Sequence, residues 1–125
     1  MATGWTDAGL AAVTTALGTT FWLAVGTGTT AYARTQTALV TESSASGLAR
    51  AAATVTRVTT TVANDSLQGS KTWTCGVAGP VVIAEVGWFD AASAGNMYSR
   101  SLLAATRSML SSDTYTMVFK LVFAI

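Results

Sequence analysis

The sequence predicts an all-β fold, an antiparallel β-sandwich or small barrel with a short N-terminal helix. Short segments of alternating or continuous apolar residues recur along the chain, and turn-forming residues separate them. After the first 18 residues no helical repeat lies between these segments, which disfavours strand–helix–strand units. The length of 125 residues suits a single domain, 1–125, with residues 1–18 as an N-terminal helical arm.

The first element is a short helix. Leucine and valine recur at helical intervals, so we predict a helix over residues 8–17. Thr6 or Asp7 can cap its N-terminus, because a hydroxyl or carboxylate accepts from the free N–H groups of the first turn. Gly18 is placed to end it.

The remaining elements are strands. Their predicted ranges are 21–26, 51–62, 71–77, 81–89, 97–103 and 115–125. The fourth of these is almost continuously apolar, as expected for a strand covered on both faces. The last alternates aromatic and aliphatic residues on one face with polar ones on the other. We expect a turn at 27–30 and an irregular segment over 31–47 that Leu39 anchors in the core.

The composition indicates a surface built for contact with other protein. Charged residues make up 10% of the chain, where about 25% is usual. The sequence contains 22 Thr and 11 Ser, so the exposed face carries hydroxyl and methyl groups that lose little on desolvation. A free small domain normally keeps many mixed surface charges. The net charge of +1 has no basic stripe, so we expect no nucleic-acid partner.

A membrane segment is also not expected. The 26 uncharged residues between Asp7 and Arg34 could span a bilayer by length. Their apolar spacing changes from helical to alternating within the segment, and one continuous membrane helix would not change period in this way.

The residue types argue against an enzyme. The chain has no histidine, which removes the commonest general base and metal ligand. The six acidic residues have no spacing that brings two together, and the lone Cys75 is expected to be a buried apolar residue. We therefore expect no catalytic residue, metal or cofactor.

One motif nevertheless resembles a cofactor loop. Gly26-Thr27-Gly28 follows an apolar strand, as in a dinucleotide-binding turn. The Thr-rich segment after it is a poor helix start, and Glu42 comes too early to bind a ribose. We expect instead that Gly26 and Gly28 adopt positive φ at the end of a strand.

Glu85 lies in the middle of the most apolar run, where an unpaired carboxylate would be costly. Its possible ion-pair partners are Arg50, Arg57 and Arg100. We expect a buried structural pair, and the alternative is a pair across a subunit boundary. Trp5, near the N-terminus, is the best candidate for a contact with another protein.

Five segments in order resemble small virion proteins of tailed bacteriophages. The segments are Thr6–Leu10, Leu23–Ala31, Thr37–Glu42, Glu85–Ala91 and Ser112–Thr116. The shared structural motif consists of Gly26, Gly28, Leu39, Glu42, Glu85, Gly87 and Phe89. The chain departs from the pattern at Gln36, where an acid is common, and at Tyr32, where proline is common.

This resemblance implies a non-enzymatic virion component assembled in the bacterial host cytoplasm. The first expectation is a capsid decoration or cement protein that binds the major capsid protein or other virion proteins and forms a homo-oligomer. The alternatives are a tail fibre or adaptor module and a small-ligand-binding β-barrel.

Overall fold

The computed structural model describes residues 4–17, 21–77 and 80–123. Within these ranges the chain forms one helix and seven strands. The elements are α1 (Asp7–Ala16), β1 (Trp22–Gly26), β2 (Ala51–Ala52), β3 (Thr54–Val58), β4 (Ser66–Thr74), β5 (Val81–Phe89), β6 (Met97–Met109) and β7 (Thr114–Val122).

The strands form two antiparallel sheets, with strand orders β2-β1-β5-β6 and β3-β4-β7. The predicted all-β class is therefore confirmed, in its sandwich form. The chain passes from one sheet to the other between β2 and β3. At this crossing the Ala53 N–H donates to the Phe21 carbonyl at 2.8 Å.

The main core lies between the two sheets. Trp88 is fully buried, and its ring meets Phe21 edge-on at a centroid distance of 4.9 Å. A Cβ at Gly69 would lie 3.0 Å from the Trp88 ring, so the absence of a side chain there admits the indole. Trp73 and Cys75 are buried, as the alternation in the sequence predicts.

The helix starts one residue earlier than predicted. Thr6 is its N-cap, and the Thr6 Oγ1 accepts from the Gly9 N–H at 3.1 Å. Leu10 and Thr14 are its buried residues. Gly18, which we expected to end the helix, lies outside the described residues.

Two strands are longer than predicted. β4 begins at Ser66 because it pairs with β7 in nine consecutive positions, from Ser66↔Val122 to Thr74↔Thr114. β6 continues to Met109 because its last residues pair with the start of β5, Val81↔Met109. Polar or small residues in both extensions interrupt the apolar alternation, so the start predicted for β4 and the end predicted for β6 are wrong.

The β-branched run 51–62 is not one strand. It is divided at Ala53 and ends at Val58, and the chain then turns around Asp65. The carboxylate of Asp65 accepts the backbone N–H groups of Thr60, Thr61 and Val62 at 2.8–3.0 Å. Burial by itself would raise the pKa of Asp65, but these N–H groups and the Ser66 hydroxyl lower it well below its ordinary value.

Segment 27–50 is irregular, as predicted for 31–47, and contains no helix. It covers the outer face of the β2-β1-β5-β6 sheet, so β5 is buried from Ile83 to Phe89. No helix within the described ranges is long and apolar enough to cross a bilayer.

Candidate functional site

The seven motif residues of the sequence gather on the outer face of the β2-β1-β5-β6 sheet. With Arg50 and Arg100 they form what we call the anchoring site. Its members are Gly26, Gly28, Leu39, Glu42, Arg50, Glu85, Gly87, Phe89 and Arg100. Together they hold segment 27–50 against the sheet.

Glu85 is the centre of this site. It projects from β5 next to Arg100 of β6, and both side chains are completely buried. The Arg100 Nε donates to the Glu85 Oε2 at 2.8 Å. The partner of Glu85 among the three candidate arginines is therefore Arg100, and the pair forms within one chain.

Backbone N–H groups of the covering segment complete the coordination of the Glu85 carboxylate. Oε1 accepts from Thr41 at 2.7 Å and from Gly28 at 3.2 Å. Oε2 accepts from Val40 at 3.1 Å. With Arg100 these make four donors on two oxygens, so each oxygen is satisfied and no free lone pair points to a ligand.

These donors also fix the ionisation state of Glu85. Burial by itself raises the pKa of this carboxyl, because it disfavours the charged form. The N–H groups of Thr41 and Val40 and the Arg100 guanidinium outweigh burial, and the net pKa lies below its ordinary value of 4.5. Glu85 is therefore ionised at neutral pH and serves as a fixed anion rather than as a proton carrier.

Arg100 extends the network into the covering segment. Its Nη2 donates to the Thr30 carbonyl at 2.9 Å, and its Nη1 donates to the Gln36 Oε1 at 3.1 Å. Gln36 Oε1 also accepts from the Ala33 N–H at 3.0 Å. Gln36 is one of the two departures from the phage-protein pattern noted in the sequence, and its amide oxygen accepts both of these hydrogen bonds.

Two glycines of the anchoring site, Gly26 and Gly28, are required for close approach to Glu85. A Cβ would lie 2.7 Å from the Glu85 Oε1 at Gly26 and 2.6 Å from it at Gly28. Our prediction of positive φ at these positions is wrong. Among the glycines in the described ranges, Gly47 and Gly95 have positive φ, at 77° and 73°.

Leu39 anchors the covering segment, as predicted, but in a separate small cluster on the outer face of the sheet. It packs with Ala24 and Phe89. A Cβ at Gly87 would lie 2.9 Å from the Leu39 Cδ2, so Gly87 provides the space that the leucine fills. This explains why a glycine stands in the middle of an otherwise large-residue strand.

Glu42 and Arg50 form a second ion pair at the edge of the anchoring site. Arg50 Nε and Nη2 each donate to one Glu42 oxygen at 2.7 Å. The guanidinium lies 3.5 Å above the centre of the Phe89 ring. Arg50 Nη1 also donates to the carbonyls of Ala91 and Ala94. Arg50 therefore connects the covering segment to the β5–β6 turn and is not a partner of Glu85.

The two other predicted residues lie away from the anchoring site. Arg57 on β3 donates to the Thr15 Oγ1 of the helix at 2.9 Å, so it is not a partner of Glu85 either. Trp5 is 65% exposed and its ring lies near Gly9. It is a large apolar surface at the start of the helix.

The anchoring site is built to fix a loop. Its two carboxylates are bound by guanidinium and N–H groups, and the described residues contain no group of three or more acidic or cysteine side chains that could hold a metal. Sequence reasoning missed Thr30, Gln36 and the N–H donors of residues 40 and 41. A backbone N–H group is the same in every residue but proline, so the residue types give no sign of these donors. The departure from the phage-protein pattern at Gln36, in contrast, is visible in the sequence.

A family model described as "Podophage GP4 fiber I protein gp80" matches residues 1–121. A search of curated proteins finds no match for the chain.

Proposed function

This chain belongs to the family of the podophage GP4 fiber I protein gp80, and from that premise we propose that it is a structural subunit of a phage tail fibre. The match over residues 1–121 is the observation that carries the proposal, because it covers nearly the whole chain. It also makes the chain a structural protein of a tailed-phage virion, as the five resemblance segments predicted.

Between the two virion locations, the family favours the tail. Its description is that of a fibre protein, which supports the tail-fibre alternative more than our first expectation of capsid decoration. The proposal for this chain is accordingly a fibre component that contacts other virion proteins.

We further propose that the role is mechanical rather than enzymatic. The chain contains no histidine, and the buried carboxylate of Glu85 is saturated by four donors. Such a network rigidifies a loop and gives the outer face of the sandwich one defined shape. A subunit of a repeated assembly benefits from one defined shape, because the same weak contact is then formed many times and the contacts stabilise the particle together.

Electron microscopy of labelled virions tests the proposed location. A small epitope tag is added after the C-terminus of the chain in the phage, and a gold-conjugated antibody marks it. We expect gold particles at the tail fibres. Label distributed over the head would overturn the tail assignment and support the decoration alternative, and an untagged phage controls for unspecific antibody binding.

A further inference from the structure

An open cleft of about 290 Å³ lies at the edge of the anchoring site. Residues 42–44 and 49–50, at the end of the covering segment, form one side of it. Residues 92–94, in the turn between β5 and β6, form the other side. Ligand pockets start at about 300 Å³, so the volume suits one small ring better than a length of polymer.

Both sides of the cleft are fixed in position. Glu42 forms an antiparallel bridge with Gly26 of β1, and the Ser43 N–H donates to the Val25 carbonyl at 2.9 Å. The β5–β6 turn is held by Arg50, whose Nη1 donates to two of its carbonyls at 2.9 and 3.0 Å. A ligand that enters the cleft therefore orders little of the chain, which lowers the free-energy cost of binding.

Glu42 differs from Glu85 in what its oxygens can still accept. Glu85 is completely buried and is bound by four donors. The side chain of Glu42 is 26% exposed, and its hydrogen bonds within the described ranges are the two from Arg50, one to each oxygen. Because a carboxylate oxygen has two lone pairs, each Glu42 oxygen can accept one further hydrogen bond. The pair of oxygens thus suits a ligand with two neighbouring donors.

The rest of the lining alternates hydroxyl and methyl groups. Three serines and three alanines line the cleft, namely Ser43, Ser44, Ser93, Ala49, Ala92 and Ala94. All but Ser43, which is half-buried, are exposed. A serine hydroxyl can donate or accept a hydrogen bond, and the methyl groups offer small apolar contacts. This lining suits a ligand that carries both hydroxyl and C–H groups.

The charges around the cleft favour a neutral ligand. Glu42 and Arg50 neutralise each other as an ion pair. The Asn96 N–H groups, and to a smaller extent the Arg50 guanidinium, hold the pKa of nearby Asp90 below its ordinary value, so Asp90 is ionised at neutral pH. One negative charge is then in excess and disfavours an anion, whereas Arg50 in the cleft lining disfavours a cation.

We propose that this cleft binds one ring of a neutral sugar, with two adjacent hydroxyl groups of the ring donating to the two oxygens of Glu42. Hydrogen bonds to a carboxylate are roughly twice as strong as those between neutral groups, so these two orient the ring. The serine hydroxyls bind further hydroxyls of the ring, and the alanine methyl groups contact its C–H groups. This inference goes beyond the proposed function, since a fibre subunit has its structural role with or without a ligand.

The spacing of donors favours a sugar over an extended peptide. Adjacent hydroxyl groups of a sugar lie on neighbouring carbon atoms and can reach both oxygens of one carboxylate. In an extended peptide the N–H groups on one edge are two residues apart, about 7 Å. They cannot both reach Glu42, and a basic side chain of a peptide would be repelled by Arg50.

Titration of the purified, ¹⁵N-labelled chain with simple sugars tests the proposal. The probes are the methyl α-glycosides of glucose, galactose, mannose and rhamnose, and backbone amide signals report where they bind. At the efficiency usual for drug-sized ligands, about 13 non-hydrogen atoms give a dissociation constant of about 1 mM. We expect at least one glycoside to bind with this affinity and to shift the amide signals of residues 42–44 and 92–94.

Two further probes test which chemistry the cleft selects. Tetrahydropyran-2-methanol has the same ring with a single hydroxyl group, so it should leave the cleft signals unchanged. The uronic acid of the sugar that binds best adds a carboxylate to the same ring. It should bind at least about threefold more weakly, because the cleft has an excess negative charge.

Ser93→Leu is the variant that blocks the cleft. Ser93 is exposed, and leucine removes its hydroxyl and fills space, so we expect at least about tenfold weaker binding. Ser111→Leu is the matched control, an exposed serine in the β6–β7 turn and outside the cleft lining, which should bind like the wild type. Glu42→Gln leaves one carbonyl oxygen in place of the carboxylate and should also weaken binding, with circular dichroism as the check on its fold.

Absence of shifts in the cleft with all four glycosides up to roughly 20 mM would overturn the proposal. Equal binding of tetrahydropyran-2-methanol would do so too, as would equal affinities of the Ser93→Leu and Ser111→Leu variants. Surface polysaccharide from the phage host distinguishes two sources of the ring. Shifts with the polysaccharide indicate a ring within a chain, and shifts with the glycosides alone indicate a free sugar. The tail location is tested separately, by the labelling experiment.

Discussion

Substitution of Arg100 by methionine tests the anchoring site most directly. Methionine keeps an unbranched apolar side chain in the buried position but removes the guanidinium. Glu85 then loses its ion-pair partner and retains the N–H groups of residues 28, 40 and 41. The Thr30 carbonyl and the Gln36 amide oxygen each lose a donor.

The magnitude follows from these contacts. Removing one partner of a buried ion pair costs about 3–5 kcal/mol. The three remaining N–H donors keep Glu85 partly satisfied, so we expect the lower end, about 3 kcal/mol of unfolding free energy. For a domain of this size the melting temperature would fall by roughly 10 °C.

Urea unfolding followed by tryptophan fluorescence measures this change, because Trp88 is buried in the core. Arg107→Met is the matched control: the residue lies on the same strand and is exposed, so its loss should change the free energy by less than about 0.5 kcal/mol. A loss below about 1 kcal/mol for the Arg100→Met variant would refute the reasoning. Equal effects of the two variants would refute it as well.

Three further results are expected. The Gly28→Ala variant should lose about 1–3 kcal/mol in the same urea assay, since a Cβ displaces the Glu85 carboxylate from its hydrogen bonds. Gly76→Ala, where a Cβ meets nothing nearer than 3.6 Å, should be neutral or slightly stabilising; equal losses would contradict the close-approach explanation. The folded state lowers the pKa values of Glu85 and Asp65. Their contribution to the free energy of unfolding is therefore present above the ordinary pKa values of 4.5 and 3.8 and is lost as pH falls below them. A melting temperature that stays constant from pH 6 to about pH 2 would contradict this. The Thr6→Ala variant should cost about 1 kcal/mol by removing the N-cap, and an unchanged urea midpoint would show that the cap contributes nothing.

The sequence by itself determined the all-β class and most of the core. Alternation places Trp73 and Cys75 on one face of the predicted strand 71–77, and a continuous apolar run marks β5 as covered on both sides. These features depend on residues that are close in the chain, because strand geometry repeats every two residues. The same local pattern identified Leu39 as the anchor of an irregular segment.

Only the tertiary structure decided which arginine pairs with Glu85 and why Gly26 and Gly28 must be glycines. The donors to Glu85 come from residues 28, 40, 41 and 100, and sheet order and register bring them together. Backbone N–H groups are the same in every residue but proline, so the sequence carries no sign of them. The cleft beside Glu42 is likewise formed by two loops that are distant in the sequence, which local periodicity does not record.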